Sequence, residues 1–144
     1  MNNASTKTPF HLWIVGIIAV LWNAMGAFDY TATHMRLDWY MSQFTAEQLD
    51  YFYAFPAWVV AAWAIAVWGS LLASFMLLFR KSLAVWLFGI AVIAMVLTSV
   101  YNFILTNGLE LMGEGAIGFS AVIWAIALFL FFYSRAMAKR GVLR

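Results

Sequence analysis

The sequence has no cysteine, only two prolines and few charged residues. Without cysteine, disulfides, thiolate metal sites and cysteine nucleophiles are excluded. Charged residues make up 10% of the 144-residue chain and hydrophobic residues 66%, whereas an average soluble domain has about 25% charged residues. This composition excludes a water-soluble globular domain. Because the net charge is only +2, the sequence also gives no reason to expect a nucleic-acid partner.

Four continuous apolar stretches are long enough to cross a bilayer, which requires about 20 helical residues. Lipid offers the backbone no hydrogen-bond partner, so such stretches form helices, and continuous runs exclude the alternating strands of a barrel. The sequence therefore predicts an all-α integral membrane protein, a four-helix bundle in contact with the lipid bilayer. We expect one domain over residues 1–144, with spans at residues 12–33, 56–79, 83–105 and 116–133.

The first stretch has an alternative interpretation as a cleaved signal peptide. Lys7 would be its charged end, and Ala24, Met25 and Gly26 would form a small-x-small cleavage site. We favour a retained span because the apolar run continues beyond the usual length of a signal-peptide core.

The positive charges predict the orientation of the spans. Lys and Arg accumulate on the cytoplasmic side of inner-membrane proteins. Seven of the eight basic residues flank one side of the predicted bundle, namely Lys7, Arg80, Lys81, Arg135, Lys139, Arg140 and Arg144. Arg36 and all six acidic residues fall on the other side. We therefore expect both termini in the cytoplasm.

The loop between the first two spans has the pattern of a short amphipathic helix. Thr45 and Gln48 have the spacing of a capping box, and Leu49, Phe52 and Tyr53 follow on one side of the helix. We predict an interfacial helix over residues 46–54. The many aromatic residues around it favour a position flat on the membrane surface.

Small residues recur at helical spacing in three of the predicted spans. Such faces let helices approach closely, and Asn23 could form a hydrogen bond across one of these contacts. Packing within the chain is the simpler interpretation, and an oligomer interface is the alternative. The residues predicted to lie at these contacts are Gly16, Gly26, Ala62, Ala66, Ser70, Ser74, Gly118, Ala121 and Ala125.

Polar side chains inside the spans are concentrated in the predicted outer halves of the first and third spans. A carboxylate or amide that faces lipid is costly, so we expect these groups to turn inward. They predict an outward-facing ligand pocket formed by Asn23, Asp29, Tyr30, Thr33, Thr98, Tyr101 and Asn102. For Asp29 taken alone, the simpler interpretation is an interfacial anchor or an ion pair with Arg36, and contact with a ligand or a cation is the alternative.

Signatures of catalysis and metal binding are absent from the sequence. There is no Gly-x-Ser-x-Gly elbow, no phosphate-binding glycine loop and no His-Glu-x-x-His helix. His34 could meet Glu110 or Glu114 at a metal, but no paired-ligand spacing supports this. We predict no enzyme activity, no metal and no cofactor, with a single histidine ligand to a haem as an alternative.

Three segments resemble a group of small bacterial four-helix inner-membrane proteins that are often labelled "sugar transporter". These segments are LWNAMGAFDY at residues 21–30, YM with FTAEQL at residues 40–49, and FYAFPAW at residues 52–58. The resemblance is strong in the first half of the chain and rests mainly on hydropathy in the second. It implies a bacterial inner-membrane protein with four spans, and it assigns no function to particular residues.

Two functions fit these patterns. The first is a small-solute carrier or ligand-binding membrane protein that uses the outer polar residues, as a homo-oligomer if it transports. The second is an accessory or assembly subunit of a larger inner-membrane complex. We favour the first because the polar residues are clustered. The predicted inner halves of the spans contain few polar groups besides Ser70 and Ser74, which argues against a continuous transport route.

Overall fold

The computed structural model describes residues 7–113 and 115–144, and most of them are helical. The helices are α1 (Phe10–His34), α2 (Asp38–Met41), α3 (Ala46–Tyr53), α4 (Ala57–Leu78), α5 (Leu83–Val100), α6 (Gly108–Met112) and α7 (Gly115–Lys139). A π-helical turn, Tyr101–Leu105, continues α5. No strand occurs in these two ranges, so the all-α prediction is confirmed.

Four of the helices are long and apolar enough to cross a membrane: α1, α4, α5 with its π turn, and α7. The protein is therefore a multi-pass membrane protein. The first three spans begin and end within two residues of their predicted bounds. The fourth continues past residue 133 to Lys139. Alanine and methionine favour helix in this last part, and its basic residues suit the negative end of the helix dipole.

The spans pack in chain order, with α1 on α4, α4 on α5, and α5 on α7. α1 and α7 meet through side chains, at the hydrogen bond between His11 and Tyr133 and at the rings of Trp22 and Phe119. We call the end with the α4–α5 turn the basic end, and the end with α2, α3 and α6 the acidic end.

Small residues occupy two of the contacts between spans. Gly16 is buried between α1 and α4, where an added Cβ would overlap the side chain of Leu78. Ala62 and Ala66 of α4 are buried against Ala94 of α5. Because these positions are used within the chain, they are not available to a second protein.

A hydrogen-bonded group links α1 to α4 within the membrane. Asn23 Nδ2 donates to Ser74 Oγ at 2.8 Å and, at 3.4 Å, to the Ser70 carbonyl. Ser74 is fully buried, and its hydroxyl donates to the same carbonyl at 2.8 Å. The amide of Asn23 therefore makes the predicted bond across a helix contact.

The small-residue face of α7 has no partner in the described part of the chain. Gly118, Ala121 and Ala125 are exposed, and a Cβ added at Gly118 would meet no atom within 4 Å. A different side of α7 faces α5, where Trp124 Nε1 donates to Ser99 Oγ at 3.1 Å. An oligomer contact at the exposed face stays a prediction.

An apolar cluster closes the basic end of the bundle. It takes side chains from all four spans, including Leu12, Leu77, Phe88 and Leu130, each at most 3% exposed. Dense packing of such side chains leaves no space for a water-filled path.

The segment after α7 folds back onto this cluster. Gly141, with φ of 80°, ends the helix in a Schellman turn, in which the Val142 N–H donates to the Met137 carbonyl at 3.0 Å. The Arg144 N–H donates to the Arg80 carbonyl at 2.9 Å, which ties the segment to the α4–α5 turn. As a result, Val142 and the residue after it are buried in the cluster.

Three short helices cover the acidic end. α3 matches the helix predicted at residues 46–54, and the capping box is present. The Gln48 N–H donates to Thr45 Oγ1 at 3.1 Å, and the Thr45 N–H donates to Gln48 Oε1 at 3.0 Å. Gln48 Nε2 also donates to the Leu111 carbonyl of α6 at 3.2 Å, so α3 and α6 are linked. The single-turn helices α2 and α6 are too short to give a periodic pattern in the sequence.

Candidate functional site: a cavity between the four spans

A cavity of about 700 Å³ lies between the four spans and extends from the acidic end past the middle of the bundle. All four spans contribute to its wall, and residues around α2, α3 and α6 cover it at the acidic end. Phe88 and Leu130 of the apolar cluster form its floor. Sites for small molecules typically measure about 300–1,000 Å³, so this cavity is large enough to hold an organic ligand.

Five of the seven residues predicted to bind a ligand line this cavity. They are Asn23, Asp29, Thr33, Thr98 and Asn102. Asp29 and Thr33 are four residues apart and lie on one side of α1, whereas Asn23, six residues before Asp29, lies about 120° around the helix, toward α4. The rest of the wall is mostly apolar and aromatic, so the cavity is less polar than the sequence suggests. Ligand binding by these residues stays a prediction.

Tyr30 and Tyr101 are not among the residues that line the cavity. The ring of Tyr30 lies against His34, with centroids 4.2 Å apart, and meets the edge of Trp63. The ring of Tyr101 packs against Phe55 at 5.3 Å. Tyr30 follows Asp29 by one residue, a rotation of about 100° around the helix, and therefore presents its side chain to α4.

Among the described residues that line the cavity, Asp29 is the one with a carboxylate. Its Oδ1 accepts a hydrogen bond from the Tyr40 hydroxyl. Burial raises the pKa of the Tyr40 hydroxyl above its usual value, and the bond to Asp29 raises it further, so this group remains a donor. No hydrogen bond to Asp29 Oδ2 occurs within the described ranges, and Asp29 is among the residues that line the cavity.

The predicted ion pair between Asp29 and Arg36 is absent from the structure. Arg36 has a left-handed backbone conformation, with φ of 53°, just after the end of α1. Its guanidinium lies over the ring of Tyr53, 4.0 Å from the centroid. A pair with Asp29 would require α1 to continue past His34, but the chain turns there. The carboxylate therefore faces the cavity without a cation from residues 7–113 or 115–144.

Five aromatic residues line the cavity in a continuous row, which we call the aromatic arc. It consists of Tyr40, Phe44, Phe52, Phe55 and Trp63, and successive ring centroids are 6.3, 5.1, 6.3 and 5.9 Å apart. The rings meet edge to face, the arrangement that aromatic pairs favour. Several rings of the loop that was expected to lie flat on the membrane surface therefore line the cavity instead, and Tyr40, at one end of the arc, contacts Asp29.

A second polar group joins α3 to the π turn. The Tyr51 hydroxyl donates to Asn102 Oδ1 at 2.6 Å and lies 2.7 Å from Thr106 Oγ1. Asn102 Nδ2 donates to the Thr98 carbonyl at 2.8 Å. Burial raises the pKa of Tyr51, and the bond to Thr106 lowers it in part. Because both ends of the Asn102 amide are bonded, this residue holds the wall in place.

Replacement of Tyr51 by phenylalanine is expected to lower the free energy of unfolding by about 1–3 kcal/mol, because Asn102 Oδ1 loses its donor in a half-buried site. Tyr53→Phe is the matched control. The Tyr53 hydroxyl forms no hydrogen bond in the described chain, and the variant keeps the ring under Arg36. Denaturant unfolding in detergent measures both changes, and equal stability of the two variants would contradict this role of Tyr51.

The cavity reaches the surface of the bundle between α1 and α7. Met25 and Phe119 line it from these two helices and are 65% and 61% exposed. The rings of Trp22 and Phe119, with centroids 6.4 Å apart, span part of the gap. The sides of the four spans face lipid, so this gap opens toward the membrane interior.

No group of three or more potential metal ligands occurs in the described ranges. His34 Nδ1 donates to the Tyr30 carbonyl at 2.8 Å, and Glu110 is exposed on α6. Glu114, which the sequence placed near them, lies outside the described residues. The other histidine, His11, is at the opposite end of α1. The absence of a cofactor stays a prediction.

Comparison with known proteins identifies no relative. No family model, no curated protein and no solved structure matches the chain. The resemblance to small bacterial inner-membrane proteins therefore stays a prediction. The structure itself establishes an all-α, multi-pass membrane protein with a large cavity among its spans.

Proposed function

We propose that this protein binds a small organic molecule in the cavity between its spans, as a ligand-binding protein or carrier of a bacterial inner membrane. The main support for this proposal is the cavity, which has the volume of a ligand site and a mostly apolar wall with a few polar groups. The positive charges at the basic end support an orientation with both termini in the cytoplasm.

The closed basic end favours binding over transport. A carrier must expose its site to both sides of the membrane in turn. Here Leu12, Leu77 and Phe88 are packed between the cavity and the basic end, with at most 2% exposure. Transport would require this cluster to open, whereas binding requires no such change.

An accessory subunit of a larger membrane complex is the second candidate function. The exposed face with Gly118, Ala121 and Ala125 supports it, because small residues allow a helix of another chain, or of a second copy, to approach closely. This face is distinct from the cavity wall. Binding of a ligand and docking of a partner are therefore separable by mutation.

Native mass spectrometry of protein extracted gently from its membrane tests the proposed function. We expect a bound small molecule on the natural protein and at least about a tenfold lower occupancy in Ala127→Trp, equivalent to about 1.4 kcal/mol. Ala127 lines the cavity, and the indole ring would fill part of it. Ala61→Trp is the control, since Ala61 is exposed on α4 outside the cavity, and it should keep the ligand.

The opposite result would contradict ligand binding. If the natural protein carries no small molecule but a second protein remains bound at fixed stoichiometry, including in Ala127→Trp, the accessory function is favoured. Equal ligand occupancy in Ala127→Trp and Ala61→Trp would place the bound molecule outside the cavity.

A further inference from the structure

We infer that the cavity selects an amphipathic organic cation, with its charged group between Asp29 and the aromatic arc and its apolar part in the remaining space. This inference rests on the proposed function and adds the chemical class of the ligand.

The first argument is the carboxylate of Asp29. A charged side chain within a membrane span is costly unless a partner or a water-filled cavity offsets its desolvation. Tyr40 donates a hydrogen bond to Oδ1, and Oδ2 of this cavity-lining residue is left without a hydrogen-bond partner in the described chain. Arg36, the basic residue of the acidic end, is engaged with Tyr53. A cationic ligand would supply the charge partner that the described chain does not.

The second argument is the aromatic arc. The faces of aromatic rings attract cations, most strongly organic ammonium groups that are easily desolvated. The arc begins at Tyr40, which contacts Asp29, so the carboxylate and the rings border one part of the cavity. A hard metal ion does not fit this wall, because Ca²⁺ or Mg²⁺ needs about six oxygen ligands.

The third argument is the rest of the wall. Its side chains, such as Val67, Val92 and Ile123, are apolar and suit a hydrocarbon group. Among the described residues that line the cavity there is no Lys, Arg or His, so none of them would balance an anionic ligand. The gap beside Met25 and Phe119 gives access from the membrane, where amphipathic molecules concentrate.

The charges around the acidic end agree with this assignment. The described acidic residues at this end are Asp29, Asp38, Glu47, Asp50 and Glu110, against the single basic residue Arg36. The resulting negative potential raises the local concentration of cations and repels anions.

Three matched probes test the inference on the full chain in nanodiscs of zwitterionic lipid. They share a decyl chain and differ in head group: decyltrimethylammonium is cationic, decyldimethylphosphine oxide is neutral and decyl sulfate is anionic. Equilibrium dialysis, corrected with empty nanodiscs, gives the affinity of each. We expect the cation to bind at least about tenfold more tightly than the neutral probe, which is about 1.4 kcal/mol, and the anion not to bind.

Two Asp→Asn variants locate the charge. Asp29→Asn should weaken binding of the cation by at least about tenfold and leave the neutral probe unchanged. The asparagine still offers an acceptor to Tyr40, and circular dichroism verifies the fold. Asp50→Asn, at an exposed position on α3, removes the same charge from the same end and should weaken binding of the cation far less than Asp29→Asn does, with the neutral probe unchanged. An equal loss in Asp50→Asn would show that surface potential alone attracts the cation, and would overturn the inference.

The remaining outcomes separate this inference from the proposed function. One outcome is that the cation and the neutral probe bind equally, that Asp29→Asn changes neither affinity and that Ala127→Trp weakens both. The cavity would then bind ligands without selecting cations. If none of the three probes binds above the level of empty nanodiscs, the inference fails. Absence of any small molecule in native mass spectrometry would then remove the proposed function as well.

Discussion

Replacement of Phe88 by alanine should lower the free energy of unfolding by about 3 kcal/mol. This is near the lower limit of the loss caused by the same replacement at a buried phenylalanine in soluble proteins. The ring is 2% exposed and separates the cavity from the basic end. In lipid, the loss comes mainly from packing contacts, because an exposed phenylalanine in a membrane is not in water. The variant would also extend the cavity toward the basic end.

Phe132→Ala is the matched control for this prediction. Phe132 is also in a span but is 56% exposed on the surface of α7. Reversible unfolding in mixed micelles measures both variants. Equal losses of stability would show that Phe88 does not close the cavity by packing.

Replacement of Leu143 by aspartate should release the segment after α7 from the bundle. Leu143 is 4% exposed in the apolar cluster, and a carboxylate cannot be accommodated there. Because Val142 would leave with it, we expect the free energy of unfolding to fall by about 3 kcal/mol, the lower limit for exposing two buried apolar side chains. The released segment should become accessible to protease.

Arg144→Asp is the control for the segment. It introduces the same side chain at an exposed neighbour and keeps the backbone hydrogen bond to Arg80. Limited proteolysis followed by mass spectrometry distinguishes the variants. A segment that stays resistant to protease in Leu143→Asp would contradict its burial.

The spans could be predicted because hydropathy and length alone decide which helices can cross a bilayer. Hydropathy did not predict the last part of α7, since Arg135 and Lys139 interrupt the apolar run there. The backbone nevertheless stays helical, because leaving the membrane does not require the helix to end. The predicted ion pair between Asp29 and Arg36 was wrong for a related reason. Arg36 is within reach of Asp29 only if α1 continues past His34, and the loop that follows decides where α1 ends.

For the candidate site, the sequence could predict only which residues of a single helix lie on the same side. That Asp29 and Thr33 share one side of α1 follows from their spacing of four residues, and the structure places both on the cavity wall. The aromatic arc was missed because the sequence does not indicate which side of α3 faces the bundle. Phe52 and Phe55 are three residues apart, which was the available signal. The position of Tyr101 depends in addition on the π turn, which changes the angle between successive side chains.

The order of the spans bears on how the protein assembles as it is synthesised. Each principal contact joins spans that are consecutive in the chain, so every span can pack as soon as it enters the bilayer. Such local contacts are typical of rapid folding. The bond between His11 and Tyr133 instead joins residues 122 positions apart. The cavity therefore gains its fourth wall only when the last span docks, and an incomplete chain exposes the aromatic arc and Asp29 to the surrounding lipid.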